Sequence, residues 1–185
     1  MKKTYVFSAV LAVSVLLTAT TAFKPLTEPA DDLPELVKLT LPMMEMAKMH
    51  TLEVLDAMPE DQFSYQPTEV NKSFAAQMVH IAYSTHYFDE VMLKGNRIQY
   101  QEPDPESMSK AEIREMMSAN FDAIISTIKS LSNEDLEQEL PFGPNKTITR
   151  GQALIFAHDH VTNHRAKANL YLRLNGIEPP NYKFL

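Results

Sequence analysis

The chain contains no cysteine. Disulfides are therefore excluded, as is a lipoprotein anchor, which needs a cysteine at the new N-terminus. Any metal site has to be built from His, Asp or Glu rather than thiolate. A membrane-spanning run is also missing: the N-terminal apolar stretch, Tyr5 to Leu17, falls short of the roughly 20 residues that cross a bilayer, so no stable membrane anchor is expected. Positive charge is scarce, with 17 Lys+Arg against 24 Asp+Glu, a formal net charge of -7 and no basic stripe. Such a chain repels nucleic-acid phosphates, and no nucleic acid is expected as a partner. Neither a strand pair nor an internal repeat is visible, which leaves helices to build the fold.

What is present at the N-terminus reads as an address. Lys2 and Lys3 precede the apolar stretch, and the small residues Thr18 to Ala22 follow it. Charge, apolar core and small-residue cleavage site, in that order, make a secretory signal peptide over residues 1–22, with Thr20 and Ala22 as the small pair. The implied mature protein is exported, periplasmic or extracellular. Losing Lys2 and Lys3 with no acidic residue takes its net charge from -7 to -9. Residues 23–33 contain Pro and Asp without periodicity and read as an extended lead-in. Residues 34–185 read as one helical bundle domain.

Four helices are expected in that domain. The first runs from about Leu36 to Met58, with Pro42 breaking or kinking its early part. The second starts at Ser73 as N-cap and reaches Lys94, where Gly95 ends it. The third opens on the capping-box pattern Ser109-Lys110-Ala111-Glu112 and runs to about Leu131. The fourth runs from Ile148 or Thr149 to Asn175, is stopped by Gly176, and cannot continue through Pro179-Pro180. Turn chemistry separates them: Pro59-Glu60-Asp61, Glu102-Pro103-Asp104-Pro105 and Pro141-Phe142-Gly143-Pro144-Asn145. The fold class is all-α, a four-helix bundle.

The fourth helix carries the chemistry. Counting 100° per residue from His164, the residues Ala153, Ala157, His160, Ala168 and Tyr171 all fall within about 40° of it. Two histidines one turn apart on this inward stripe can reach one ion from one helix. The alanines around them either leave room for an ion and a substrate or simply allow close packing. An HxxxH pair recurs by chance and does not by itself define ligands. On the second helix, Phe74, Met78, Ile81, Thr85, Phe88 and Met92 form a core stripe. His80 lies beside it, on a strip of small and polar residues that includes Ser73, Ala76, Gln77, Ser84 and Tyr87. That placement suits an internal cavity or a half-exposed surface equally. Three neutral imidazoles with an open fourth position describe a catalytic metal site. His86 and His158 lie about 120° off the ligand faces, and His50 has no local partner.

Two segments resemble the DinB-like (YfiT-like) metal-binding four-helix bundles. The first is Ser73-Phe74-Ala75-Ala76-Gln77-Met78-Val79-His80-Ile81-Ala82. The second joins His160-Val161-Thr162-Asn163-His164-Arg165 to Tyr171-Leu172-Arg173-Leu174-Asn175-Gly176-Ile177-Glu178-Pro179-Pro180. Met58 to Pro67 is similar to the family's first interhelix linker. The resemblance implies one divalent ion, zinc or nickel, held by His80, His160 and His164, and often a homodimer. This chain departs from it at Asn163-His164-Arg165-Ala166-Lys167, where the family commonly shows His-His-Arg-Gly-Gln. The ligand histidine is kept while its flanks differ, so substrate identity does not carry over.

Four readings are open at this point. A metal-dependent hydrolase acting on a small molecule would use activated water, with Gln77, Ser84, Tyr87, Asp159 and Tyr171 near enough in register to assist. A thiol-dependent S-transferase or isomerase is implied by some family members, but low-molecular-weight thiols are mainly cytosolic and this chain carries an export signal. A non-catalytic metal- or ligand-binding module would close the fourth position with a protein ligand, Glu45 or Glu53. An interaction protein whose histidines are incidental is the remaining reading.

Overall fold

A computed structural model of the protein describes residues 33–183. The signal peptide, and the lead-in as far as residue 32, lie outside the described residues. Four long helices build the domain: α1 (Glu35–Ala57), α2 (Phe74–Tyr87, continued by a π-helical stretch Phe88–Leu93), α3 (Lys110–Ser130) and, after a short α4 (Asn133–Glu137), α5 (Arg150–Leu174). The fold is therefore all-α, with four long helices as the sequence implies. α1 packs on α3 and α5, and α2 packs on the same two, so α1 lies diagonally across from α2. Among the described residues no helix is long and apolar enough to cross a membrane.

Except at the start of α1, where Pro34 offers no side-chain cap, the long helices begin where local chemistry satisfies orphaned backbone groups. Ser109 and Ser132 form capping boxes with Glu112 and Asp135, and Thr149 forms one with Gln152. The Ser73 hydroxyl accepts from the Ala76 N–H, while the linker carbonyls of Tyr65 and Phe63 take the Phe74 and Ala75 N–H groups, each at 2.9 Å. α5 closes in a Schellman motif. Ile177 N–H donates to Leu172 O, Gly176 N–H donates to Arg173 O, and Gly176 takes φ +71°, as the left-handed turn requires. Gly151 answers a different need, since a Cβ there would stand 3.0 Å from a Leu36 methyl and 3.3 Å from the Leu136 carbonyl.

Three local features depart from the sequence expectation. α1 is continuous through Pro42, with no break in its early part. A strand pair exists after all: β1 (Glu139–Pro141) and β2 (Thr147–Thr149) form an antiparallel hairpin around the Phe142–Lys146 turn. Strands of three residues are too short for alternation to register, so only the turn residues between them are legible. Finally, α2 does not stay α-helical to Lys94 but widens over Phe88–Leu93, with Lys94 N–H reaching back five residues to Asp89 O.

The core is one cluster shared by all four helices, and Phe74, Met78, Ile81, Ile113, Met117, Phe121 and Ile124 are fully buried in it. Phe121 has no solvent exposure, so Phe121→Ala removes a ring whose space neighbours cannot fully reclaim. Urea unfolding followed by helical circular dichroism should show a loss of about 3–5 kcal/mol. Ile155→Ala, at a side chain 53% exposed, should stay within about 0.5 kcal/mol of the parent.

Candidate metal centre

The three histidines meet where α2 packs on α5. One ligand atom from each of His80, His160 and His164 can be chosen so that all lie within 4.8 Å of one another. His80 Nε2 and His160 Nε2 are 3.1 Å apart, and the ring centroids of His164 lie 4.3 Å from His80 and 4.6 Å from His160. All three are half-buried. The alanines around them settle on close packing: Ala153, Ala157 and Ala168 are at most 1% exposed, and side chains of a single methyl let the helices approach.

Hydrogen bonds decide which nitrogen of each ring faces inward. Nδ1 of His80 is bonded to the Glu102 carboxylate. Nδ1 of His164 stands 2.7 Å from Gln77 Oε1, and Gln77 Nε2 in turn donates to the Tyr171 hydroxyl at 3.4 Å. Both acceptors require a proton on Nδ1, which leaves the Nε2 lone pairs of His80 and His164 free toward the common point. His160 has aromatic support instead, with Phe88 at 5.2 Å and Phe156 at 6.1 Å between ring centroids. The π-helical stretch is where Phe88 is delivered to this position.

Burial, and secondarily the neighbouring His80, push His160 down to about 4 and His164 down to about 3. Both rings are thus neutral near neutral pH, the form that binds metal. Burial alone would raise the Glu102 carboxyl, but hydrogen bonds from Tyr100 and His80 outweigh it and hold the group below the ordinary range. Lys72 Nζ adds a cation 3.5 Å from the second Glu102 oxygen. A carboxylate–imidazole pair of this kind fixes the tautomer and raises the basicity of a metal ligand.

Glu102 and Tyr100 are the site residues that sequence reasoning did not single out. They belong to the irregular segment after Gly95, in which Glu102 read only as part of a turn. The segment is held by Tyr83: its hydroxyl donates to Gln99 O at 3.2 Å and accepts from Gln101 N–H at 2.8 Å. Tyr100 then packs edge-on between Tyr83 and Tyr87, with ring centroids 5.0 and 5.1 Å away, and its hydroxyl reaches Glu102. Three tyrosines of mixed spacing were the only available signal, and periodicity does not apply to a loop.

Other expected participants lie elsewhere. Gln77 and Tyr171 support His164 as described, but Ser84 donates to the His80 backbone carbonyl, Tyr87 serves the aromatic cluster, and Asp159 is exposed. Glu45 and Glu53 do not reach the centre: they pair with Lys129 at 3.0 Å and Lys183 at 2.9 Å. Among the described residues the cluster contains three ligands and no carboxylate. His86 lies tilted against Tyr83, with ring centroids 6.0 Å apart, and His50 and His158 face a cavity between α1 and α5.

A bundle with this site defines a class, and comparison with known proteins identifies it. The model of the DinB superfamily matches residues 43–168, more than half of the chain, and the protein belongs to that superfamily. A DinB-like protein from Bacillus subtilis shares 21% identity, with 80% of this chain and 99% of that one aligned at a TM-score of 0.64. For a DinB-like protein from Bacillus cereus the figures are 15%, 79%, 97% and 0.66. A mycothiol-dependent maleylpyruvate isomerase aligns at 14% identity over 76% of this chain and 62% of its own, with a TM-score of 0.58. At these identities the likeness is one of fold. No curated protein matches.

Glu102→Gln keeps the shape of the side chain but removes the charge that fixes His80. Isothermal titration with zinc should show affinity reduced about 10–100-fold, with helix content unchanged. Acidification should act on the metal-free protein too. Because His160 and His164 titrate below 6.5 when folded, the unfolded chain binds more protons between about 6.5 and about 3. The stability these rings contribute is present above that window and is lost as pH falls through it. The urea midpoint should therefore drop between roughly pH 7 and pH 4.5, and drop less in the His160→Ala/His164→Ala variant.

Proposed function

We propose that the protein holds one divalent ion, zinc or nickel, on Nε2 of His80, His160 and His164, and that it is a metal-dependent hydrolase of a small-molecule substrate. The observation that carries this reading is the double tautomer lock. Glu102 and Gln77 each accept a hydrogen bond from Nδ1–H of one imidazole, so that the Nε2 lone pairs are left for a common ion. Neutral imidazoles suit either metal. An ion held by three protein ligands, with the fourth position open, supplies a Lewis acid that lowers the pKa of water or polarises a substrate oxygen.

The chain's own residues divide the remaining roles. Glu102, steadied by Tyr100 and Lys72, retains the Nδ1 proton of His80 and balances the charge of the ion. Gln77, steadied by Tyr171, does the same for the orientation of His164. Phe88 and Phe156 shield the His160 side from water, which strengthens electrostatic interactions within the site.

A second reading, transfer of a low-molecular-weight thiol, is favoured by one finding: the fold likeness to the mycothiol-dependent isomerase. The preference for water over thiol rests on the export signal read in residues 1–22. Metal analysis by mass spectrometry tests the common ground. About one equivalent of zinc or nickel is expected in the parent protein and none in His160→Ala/His164→Ala. Metal retained by the variant, or no uptake by the parent, overturns the site. Hydrolysis of a chromogenic ester that follows metal content supports the first reading. Thiol conjugation without hydrolysis selects the second, and a loaded protein inert in both assays selects a binding module.

A further inference from the structure

α5 carries a second polar face. Counted from His164, the residues Arg165, His158 and Thr162 are rotated by about 100°, 120° and 160° and line the α1 side of the helix rather than the α2 side. There they line a cavity of about 220 Å³ together with His50 and the apolar side chains of Met43, Met46, Ala47 and Tyr182. Buried polar groups normally have partners. Among the described residues these do not: both ring nitrogens of His50, Oγ1 of Thr162 and one terminal guanidinium nitrogen of Arg165 are buried without a hydrogen-bond partner there. His50 is 2% and Arg165 7% exposed. The Pro180 carbonyl lies near His50 but outside hydrogen-bond geometry, and the nearby Lys183 is already paired with Glu53 at 2.9 Å.

The unmet need is therefore for an acceptor, and for negative charge. A guanidinium keeps its proton under all ordinary conditions, so burial of Arg165 leaves a cation that only an anion compensates. A carboxylate matches the guanidinium fork, and its second oxygen can accept from a hydroxyl or an imidazole N–H. Inorganic phosphate would make no use of the methionine and tyrosine wall. The volume corresponds to about seven waters, enough for a benzoate-sized body.

We propose that this cavity is a binding site, separate from the metal centre, for a small monocarboxylate with an apolar body, its carboxylate held by Arg165, Thr162 and His50. The test is a ligand-observed NMR titration of the full chain with sodium benzoate, with inorganic phosphate as competitor. Benzoate should bind, and phosphate should not displace it. Arg165→Met should weaken binding about tenfold or more, the scale of one charge-assisted hydrogen bond. Removing an unpaired buried charge should not lower the urea midpoint of that variant. Thr162→Val, which leaves the charge and the packing in place, should weaken binding several-fold and gives an independent reading. Absence of benzoate binding, equal binding in both variants, or displacement by phosphate overturns the proposal. Binding that vanishes in His160→Ala/His164→Ala would place benzoate on the metal centre and overturn it as well.

Discussion

The site depends on α2 lying close enough to α5 for an imidazole from one to face two from the other. Ala153, Ala157 and Ala168 on α5 permit that approach, because a larger side chain at any of them would hold the helices apart. With the two backbones fixed at this distance, His80 Nε2 and His160 Nε2 come within 3.1 Å of each other. So placed, His160 and His164 are held in the neutral form, chiefly by burial and next by the neighbouring His80. The packing therefore determines the protonation state, and the protonation state determines what the cluster can bind.

Orientation is a separate requirement, met partly from within the two helices and partly from outside them. Gln77 is on α2 itself and is positioned by Tyr171, so its contribution follows from helix register. Glu102 comes from the segment between α2 and α3, which has no regular structure and is held by the Tyr83–Tyr100–Tyr87 aromatic cluster. The metal face thus rests on one rigid support and one loop support.

α5 presents histidines on both sides, with opposite outcomes. On the α2 side the ring nitrogens converge and are tied to acceptors. On the α1 side, His50, Thr162 and Arg165 surround a cavity with their polar atoms unmatched. The same helix thus faces a histidine cluster that could hold a metal ion and a cavity that is itself cationic, kept apart by the apolar residues between them such as Val161.

Much of this was legible from residue order alone. Ser73, Ser109 and Thr149 marked helix starts because a side-chain oxygen at an N-cap satisfies a local N–H, and Gly176 marked a stop because only a residue free to take positive φ closes that turn. The face shared by His160 and His164 follows from 3.6 residues per turn. These are short-range effects, fixed within a few residues. Tertiary structure decided the rest. It turned His80 toward α5 rather than the surface, brought Glu102 onto its ring, turned Glu45 and Glu53 toward lysines, and buried His50 beside Arg165. Each of those outcomes depends on which segments distant in sequence meet in space, and no periodicity along the chain encodes that.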